Sequence, residues 1–285
     1  MQSRPTLRSK EEIFQLVRKK SFLDMHGIHE SPVGQRGLSF REAIPYNSGD
    51  DTRHLNWKMT ARTQTPMVNR FSEEREIPIV LVYLNSGGLH FGEVKSKHDL
   101  AVEALTALGY AATHSKDGFA TLFFDDTLAQ WYLPSRQDRM VARNYDKGVS
   151  LDSLGKSVDL NKVIEQLQAR IKRTSVIFMI GDFLSFNKSV DFSRLASKHS
   201  LYMAIIRDKA EENITLRGTY DIIDPISQKH HSMQIDSKTS KRYAKLFKAN
   251  DELLFRHFDR FGIAHQKLYT DQEPIDALKK LVRQS

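Results

Sequence analysis

The sequence of 285 residues contains no cysteine. Disulfide bonds, thiolate nucleophiles and cysteine-ligated zinc or iron–sulfur clusters are therefore excluded. A chain without disulfides fits a reducing compartment, so we expect a cytosolic protein.

Long hydrophobic runs are also missing. The longest one, residues 77–84, is far shorter than the roughly 20 residues that cross a bilayer, so no transmembrane helix is expected. The N-terminus carries Arg4, Arg8 and Lys10, but no apolar segment follows them. A cleaved secretory signal is therefore not expected either.

Nucleotide-binding signatures are absent too. The sequence has neither a G-x-x-x-x-G-K-[ST] loop nor a G-x-G-x-x-G after a predicted strand, so we expect no nucleotide hydrolysis by this chain. Its net charge of +8 would suit a polyanion, which makes non-specific nucleic-acid binding an alternative. The basic residues are interleaved with acidic ones, as in residues 70–76, and this pattern favours an ordinary solvated surface.

The first 75 residues differ in character from the rest. Ser9 and Glu12 form a capping box, and Ile13, Leu16 and Val17 share a face, so residues 9–20 are predicted to form a docking helix. Glycine and proline punctuate residues 23–70, which predicts short strands and turns. We therefore divide the chain into residues 1–75, a helix plus a small β-rich subdomain, and residues 76–285, an α/β domain.

Apolar strands alternate with helices after residue 76. The strands are predicted at residues 77–84, 119–124, 174–180, 201–207, 219–223 and 263–268. Helices are predicted around residues 95–115, 160–171 and 243–258, with Gly118 ending the first of them in the left-handed conformation. This alternation predicts an α/β fold with an open, doubly wound and mostly parallel sheet.

Two stretches resemble a known bacterial family. Residues 37–74 are similar to the pattern R-x-Y-x-x-G-D-x-x-x-x-I-x-W-x-x-x-A-R, and residues 77–92 (IPIVLVYLNSGGLHFG) resemble the first strand and loop of a von Willebrand factor A-like domain. Together they resemble the "domain of unknown function 58" proteins. The resemblance implies a von Willebrand A or Rossmann-like fold, frequent association with a MoxR-type AAA+ ATPase, and no established catalysis.

The resemblance also implies where a metal ion would bind. Von Willebrand A domains commonly hold Mg²⁺ in a D-x-S-x-S loop, the metal-ion-dependent adhesion site, with a distal aspartate. Here Leu84 replaces the first carboxylate and Gly88 the second hydroxyl, while Ser86 and Asp182 remain. Because Mg²⁺ requires oxygen ligands, we expect a degenerate site, no metal and no other cofactor.

We therefore predict a non-enzymatic adaptor that binds a partner protein, with the ATPase as the implied partner. The predicted contact residues lie where the strands end and comprise Asn85, Ser86, Gly87, Gly88, Asp125 and Asp182. The aspartates have a simpler alternative role as caps of the following turn or helix.

The functional alternative is a metal-dependent binding domain or hydrolase that uses Ser86 with Asp125, Asp126 and Asp182. The chain order Ser86, Asp182, His265 is that of an α/β-hydrolase triad. The G-x-S-x-G elbow of such enzymes is missing, however, because Leu84 stands where its first glycine is needed.

The acidic and basic segment around Trp57 has two interpretations. Trp57 is expected to anchor the small subdomain because tryptophan is usually largely buried, and an exposed tryptophan would instead form a protein-binding hot spot. The charged residues around it are Asp50, Asp51, Arg53, His54, Arg62 and Arg70. Four histidines, which are His26, His29, His230 and His231, are interpreted as surface residues.

Overall fold

The structure is a computed structural model that describes residues 7–20, 38–47, 50–73 and 78–284. The chain forms two compact units, one of Met1–Ser31 with Pro78–Ser285 and one of Pro32–Ile77. Helix α1 (Lys10–Lys19) belongs to the larger unit. The predicted division at residue 75 grouped this helix with the short strands instead.

The smaller unit is a two-stranded hairpin with one helix. Strands β1 (Leu38–Pro45) and β2 (Met67–Glu73) pair antiparallel. A 3-10 turn (Thr52–His54) and helix α2 (Trp57–Thr63) connect them. The Asn56 side chain caps α2 by accepting a hydrogen bond of 2.9 Å from the backbone N–H of Met59. The sequence pattern predicts the short strands but not this helix.

The larger unit is built on a six-stranded sheet. Its strands are β3 (Ile79–Leu84), β4 (Phe119–Asp125), β5 (Leu128–Ser135), β6 (Val176–Gly181), β7 (Ser200–Arg207) and β10 (Ala264–Tyr269). The spatial order is β10-β7-β6-β3-β4-β5, and every neighbouring pair is parallel except β4 and β5. The predicted mostly parallel sheet is confirmed.

One predicted strand lies outside this sheet. Strand β8 (Gly218–Ile223) pairs antiparallel with β9 (His230–Ile235) in a separate hairpin. The apolar residues of β8 suggested a place in the main sheet, but most of this strand is exposed. Strand β5 was not predicted, and only one of its eight residues, Tyr132, is buried.

Helices cover both faces of the sheet, which confirms the doubly wound arrangement. They are α3 (Lys97–His114), α4 (Asp138–Ser150), α5 (Leu160–Arg170), α6 (Ser193–Ala196), α7 (Lys209–Glu212), α8 (Ser237–Arg260) and α9 (Pro274–Val282). Helices α3 and α9 pack on one face, and α5 and α8 share a hydrophobic cluster with the other. None of the helices in the described ranges is long and apolar enough to span a membrane.

Strands β3, β4 and β6 are buried along their whole length. In β3, Val80, Val82 and Leu84 join the cluster beneath α5 and α8, whereas Tyr83 lies on the opposite face, where its hydroxyl meets His98 Nδ1 of α3 at 2.7 Å. Burial on both faces explains why these strands are continuous apolar runs without alternation.

Helix α1 docks on α3 as its amphipathic pattern predicts. The capping box is present, and Ile13 and Val17 are buried. The ring of Phe14 stacks on Tyr110 at 4.1 Å, and Arg18 donates to the Tyr110 hydroxyl at 2.6 Å. Helix α3 itself ends differently from the prediction, because Lys116 rather than Gly118 has a positive φ of 61°.

Candidate functional site

Buried polar residues collect at the carboxyl edge of the sheet. The parallel strands β3, β4, β6, β7 and β10 all end there, so side chains from distant parts of the sequence meet at one edge. We call this region the carboxyl edge. Its buried polar residues at or just after strand ends include Asn85, Ser86, Asp125, Asp182, Arg207, Asp208 and Thr270.

On the β3–β4 side, Asn85 and Asp125 form a hydrogen-bonded pair. Asn85 Nδ2 donates to Asp125 Oδ2 at 2.9 Å, and the other oxygen of Asp125 accepts from the backbone N–H and hydroxyl of Thr127 at 2.8 and 2.6 Å. Burial opposes ionisation of Asp125, but the hydrogen bonds from Thr127 and Asn85 outweigh it and lower its pKa. Asp125 thus ties the β3 loop to the turn after β4.

Asp126 joins the turn after β4 to the start of α5. Its carboxylate accepts from the Ser157 hydroxyl at 2.6 Å and from the backbone N–H of Asp159 at 3.2 Å, just before α5. Burial opposes this ionisation too, but the bonds from Ser157 and Asp159 lower the Asp126 pKa. The capping interpretation therefore accounts for Asp125, whereas Asp126 makes a long-range contact instead.

Gly87 and Gly88 allow close packing over the first loop. A Cβ atom on Gly88 would lie 1.8 Å from Asp182 Oδ2, and one on Gly87 would lie 2.4 Å from the Pro225 carbonyl oxygen. Pro225 belongs to the turn between β8 and β9, so this turn covers the loop that follows β3. Any side chain at either position would have to displace an atom that packs directly against the glycine.

Lys97 places a buried positive charge beside Asp182. It is the first residue of α3, and its side chain is 0% exposed. Its ammonium group donates to both carboxylate oxygens of Glu211 at 2.7 and 2.9 Å and lies 4.0 Å from Asp182 Oδ2. Burial raises the Glu211 pKa, and the Lys97 charge opposes that rise. The described part of the chain offers Asp182 Oδ2 no hydrogen-bond donor.

A second ion-pair network lies beside the first and joins the end of β7 to α8 and β10. Arg207 is 1% exposed and donates to Asp251 Oδ1 at 2.7 Å and to the backbone carbonyl of Asp182. Lys267 Nζ lies 2.6 Å from Asp251 Oδ2 and 2.6 Å from Glu212 Oε1. Burial disfavours the charged form of Lys267, but its hydrogen bonds to Asp251 and Glu212 outweigh burial and raise its pKa.

The proposed catalytic triad is not assembled. His265 lies on β10, three strands away from β3, which corresponds to about 14 Å at the usual strand spacing. Across the sheet, His265 is in register with Met203, Met179 and Val82. Val82 precedes Ser86 by four residues, so His265 is also displaced from Ser86 along the strand direction. Its ring stacks on Phe255 at 5.0 Å. Ser86 Oγ is buried and has no hydrogen-bond partner among the described residues, so nothing there activates it.

All six predicted contact residues at the carboxyl edge are buried. Asn85, Ser86, Asp125 and Asp182 are only 1 to 3% exposed. In this conformation their side chains offer no surface to a partner. Sequence reasoning missed the buried charges of Lys97, Arg207 and Asp251 and their partners Glu211 and Lys267, although Arg207 ends a largely apolar strand.

In the smaller unit, Trp57 is 72% exposed, so its interpretation as a buried anchor is wrong. Asp51 pairs with Arg53 at 2.6 Å, and hydrogen bonds from Arg53 hold the Asp51 pKa well below its usual range. Of the four histidines, His230 and His231 are exposed, whereas His26 and His29 lie outside the described residues.

Fold and site together define an α/β protein whose sheet carries buried ion pairs at its carboxyl edge. The chain belongs to the family described as "Protein of unknown function DUF58", whose sequence profile matches residues 42–253. This confirms the family predicted from the sequence.

Curated relatives include the uncharacterized protein Rv1480 of Mycobacterium tuberculosis and the uncharacterized protein Mb1516 of Mycobacterium bovis. Each is 25% identical over 254 residues, which is 87% of this chain and 80% of the relative.

Among solved structures, the conserved hypothetical protein BatB from Bacteroides thetaiotaomicron aligns with a TM-score of 0.42 and 10% identity, over 73% of this chain and 96% of that one. An aerotolerance-related membrane protein from Bacteroides fragilis, with multiple mutations to serines, aligns with a TM-score of 0.45 and 11% identity, over 73% of this chain and 100% of that one.

Proposed function

We propose that this protein is a cytoplasmic, non-enzymatic adaptor that binds a partner protein, with a von Willebrand A-like larger unit and a degenerate metal-ion-dependent adhesion site. The observation that carries this proposal is the buried ammonium group of Lys97, 4.0 Å from Asp182 Oδ2. Asp182 is the one carboxylate of the expected metal site that this sequence retains.

The residues present do not fit a Mg²⁺ ion. Magnesium requires near-octahedral oxygen ligands at about 2.0–2.1 Å. Leu84 offers no lone pair, and a serine at position 88 would collide with the Asp182 carboxylate. The charge of Lys97 adds electrostatic repulsion against any divalent cation nearby. These three features support a metal-independent site.

The turn at Pro225 supports the same proposal. It covers Gly87, and the Pro225 carbonyl oxygen also accepts a hydrogen bond of 2.8 Å from the backbone N–H of Gly155. The Pro225 turn covers the loop after β3, and Lys97 lies close enough to offset the charge of Asp182. We therefore propose that the buried residues of the carboxyl edge have a structural role there. Partner contacts would then come from exposed neighbours rather than from Asn85, Ser86 or Asp125.

One observation favours the alternative, a metal-dependent binding domain or hydrolase that uses Ser86 with Asp125, Asp126 and Asp182. Ser86 Oγ and Asp182 Oδ2 are both buried without a hydrogen-bond partner in the described residues, and a ligand would satisfy them. Against it, the carboxylates of Asp125 and Asp126 already accept hydrogen bonds from Thr127 and Ser157. Calorimetry with Mg²⁺ and Mn²⁺ separates the two functions.

The partner proposed is a MoxR-type AAA+ ATPase, and the support for it is the family resemblance. The test is co-purification of the tagged full-length chain with the MoxR-type ATPase of the same bacterium, with and without a non-hydrolysable ATP analogue. We expect ATPase recovery in at least one nucleotide state. Recovery in neither state would contradict the partnership.

Trp57 supplies a variant for this experiment. A large exposed aromatic residue near arginines is typical of a binding hot spot, so Trp57→Ala is expected to reduce ATPase recovery if the smaller unit takes part. Retention on immobilised DNA that falls steeply with salt, together with no ATPase recovery, would instead favour polyanion binding.

A further inference from the structure

Helix α8 carries large apolar side chains on an exposed face. Tyr243, Leu246 and Leu253 are 37, 57 and 38% exposed. Their spacing of three and seven residues places them on one stripe, about 15 Å long at 1.5 Å per residue. Clusters of exposed apolar residues are typical of interaction sites.

The segment after β6 faces this stripe. Leu184 is 43% exposed and follows the buried Asp182 by two residues. A cleft of about 150 Å³ lies between this segment and α8, lined by Phe183, Leu184, Phe186, Phe247 and Leu253, among others. Leu184 and Leu253 line this cleft, and Tyr243 and Leu246 continue the exposed stripe beyond it along α8. We call the surface formed by these four residues the α8 groove. It adjoins the carboxyl edge, because a Cβ atom on Gly88 would lie 3.3 Å from Leu184 Cδ1.

The exposed charges around the groove are mostly basic, with Glu252 beside Leu253 as an acidic exception. Residues 237–250 contain no acidic residue, and their basic residues, which are Lys238, Lys241, Arg242, Lys245 and Lys248, are all exposed. Arg242 precedes Leu246 by one helical turn, and Lys245 is adjacent to it, so both border the stripe. Asp251, the next acidic residue along the chain, is buried and paired with Arg207. A ligand of the groove therefore meets a mostly positive rim.

We propose that the α8 groove binds an acidic amphipathic helix of a partner protein. Apolar side chains of that helix lie against Leu184, Leu246 and Leu253, and its carboxylates face Arg242 and Lys245. The cleft beside Leu184 and Leu253 has room for an apolar side chain of such a helix, and the stripe of about 15 Å is long enough to contact nearly three of its turns. The proposal rests on the adaptor function and names the surface through which it acts.

The probe is a synthetic helical peptide of about 18 residues, or five turns, with leucines on one face and glutamates elsewhere. The control peptide has the same composition, with the leucines distributed around the helix. Fluorescence anisotropy with the full-length chain is expected to give micromolar binding of the first peptide and at least tenfold weaker binding of the second. Raising the salt from about 50 to 500 mM is expected to weaken binding, because the rim charges are exposed.

Variants locate the binding surface. Leu246→Asp and Arg242→Glu are expected to weaken peptide binding at least tenfold. The matched control is Leu133→Asp on β5, which is 75% exposed and should bind like the wild type. All three positions are exposed, so unchanged circular dichroism and thermal melting are expected and are measured alongside.

Equal binding of the two peptides would overturn the groove proposal, and so would unchanged peptide binding by Leu246→Asp. A third contrary outcome is that the peptide does not bind, whereas phosphatidylserine vesicles bind the wild type but not Leu246→Asp. Its failure is distinguishable from failure of the proposed function. Peptide binding without ATPase recovery contradicts the ATPase partner alone, and ATPase recovery that Leu246→Asp leaves unchanged contradicts the groove alone.

Discussion

The two sides of the carboxyl edge bury polar groups in different ways. On the β3–β4 side a single carboxylate, Asp125, is held by the neutral donors of Asn85 and Thr127. On the β6–β7 side the buried groups are ion pairs, such as Lys97 with Glu211 and Arg207 with Asp251. Breaking a buried ion pair leaves an uncompensated buried charge, whereas losing a hydrogen bond from a neutral donor leaves an unpaired polar group with a smaller desolvation penalty. The β6–β7 side should therefore be much more sensitive to substitution.

The largest effect is expected for Lys97→Met, which leaves Glu211 buried without its partner. We expect a loss of about 3–5 kcal/mol in the free energy of unfolding, measured by urea denaturation. The matched control is Lys162→Met, at a lysine whose side chain is 56% exposed, and its effect should stay within about 0.5 kcal/mol. Equal effects of the two variants would show that the β6–β7 side has no special sensitivity.

Gly88→Ser probes the boundary between the two sides. The new Cβ would lie 1.8 Å from Asp182 Oδ2, so we expect a loss of about 1–3 kcal/mol from overpacking. Gly118→Ser is the control, because a Cβ atom there meets nothing closer than 3.7 Å. A thermal melt of Gly88→Ser that coincides with that of Gly118→Ser would contradict the close packing at position 88.

Asp125→Asn probes the β3–β4 side. It should lower the free energy of unfolding by about 1–2 kcal/mol near pH 7, which is less than the effect of Lys97→Met. The folded-state pKa of Asp125 lies below its ordinary value of 3.8. As the pH falls, the unfolded chain therefore takes up this proton first, and the stabilisation is lost through and below about pH 4.

The stability of Asp125→Asn should consequently fall less steeply than that of the wild type between about pH 5 and pH 2. Urea denaturation at several pH values measures the difference, with exposed Asp221→Asn as the control. Parallel curves for the wild type and Asp125→Asn would contradict a role for this carboxylate.

Ser86→Ala should have the smallest effect. The hydroxyl is buried and finds no partner in the described ranges, so its removal leaves no hydrogen bond broken. We expect a change within about 0.5 kcal/mol in the free energy of unfolding. A much larger loss would show that Ser86 takes part in an interaction and would strengthen the alternative site.

The same contrast explains what the sequence could predict. Strands such as residues 79–84 are continuous apolar runs, and Asp125 caps the turn at Thr127, two residues further on, so both features can be predicted from the sequence. The ion pairs Lys97–Glu211 and Arg207–Asp251 join residues that are 114 and 44 positions apart, so no local sequence pattern predicts them. Exposure of Trp57 was missed because residue type predicts burial only on average.

The central claim is that the buried Lys97, rather than a bound metal ion, offsets the negative charge of Asp182 at the carboxyl edge. The most direct measurement is titration calorimetry of Mg²⁺ and Mn²⁺ into the wild type and Asp182→Asn. We predict no saturable binding to either protein. Binding of one ion per chain at micromolar affinity, lost in Asp182→Asn, would contradict the claim.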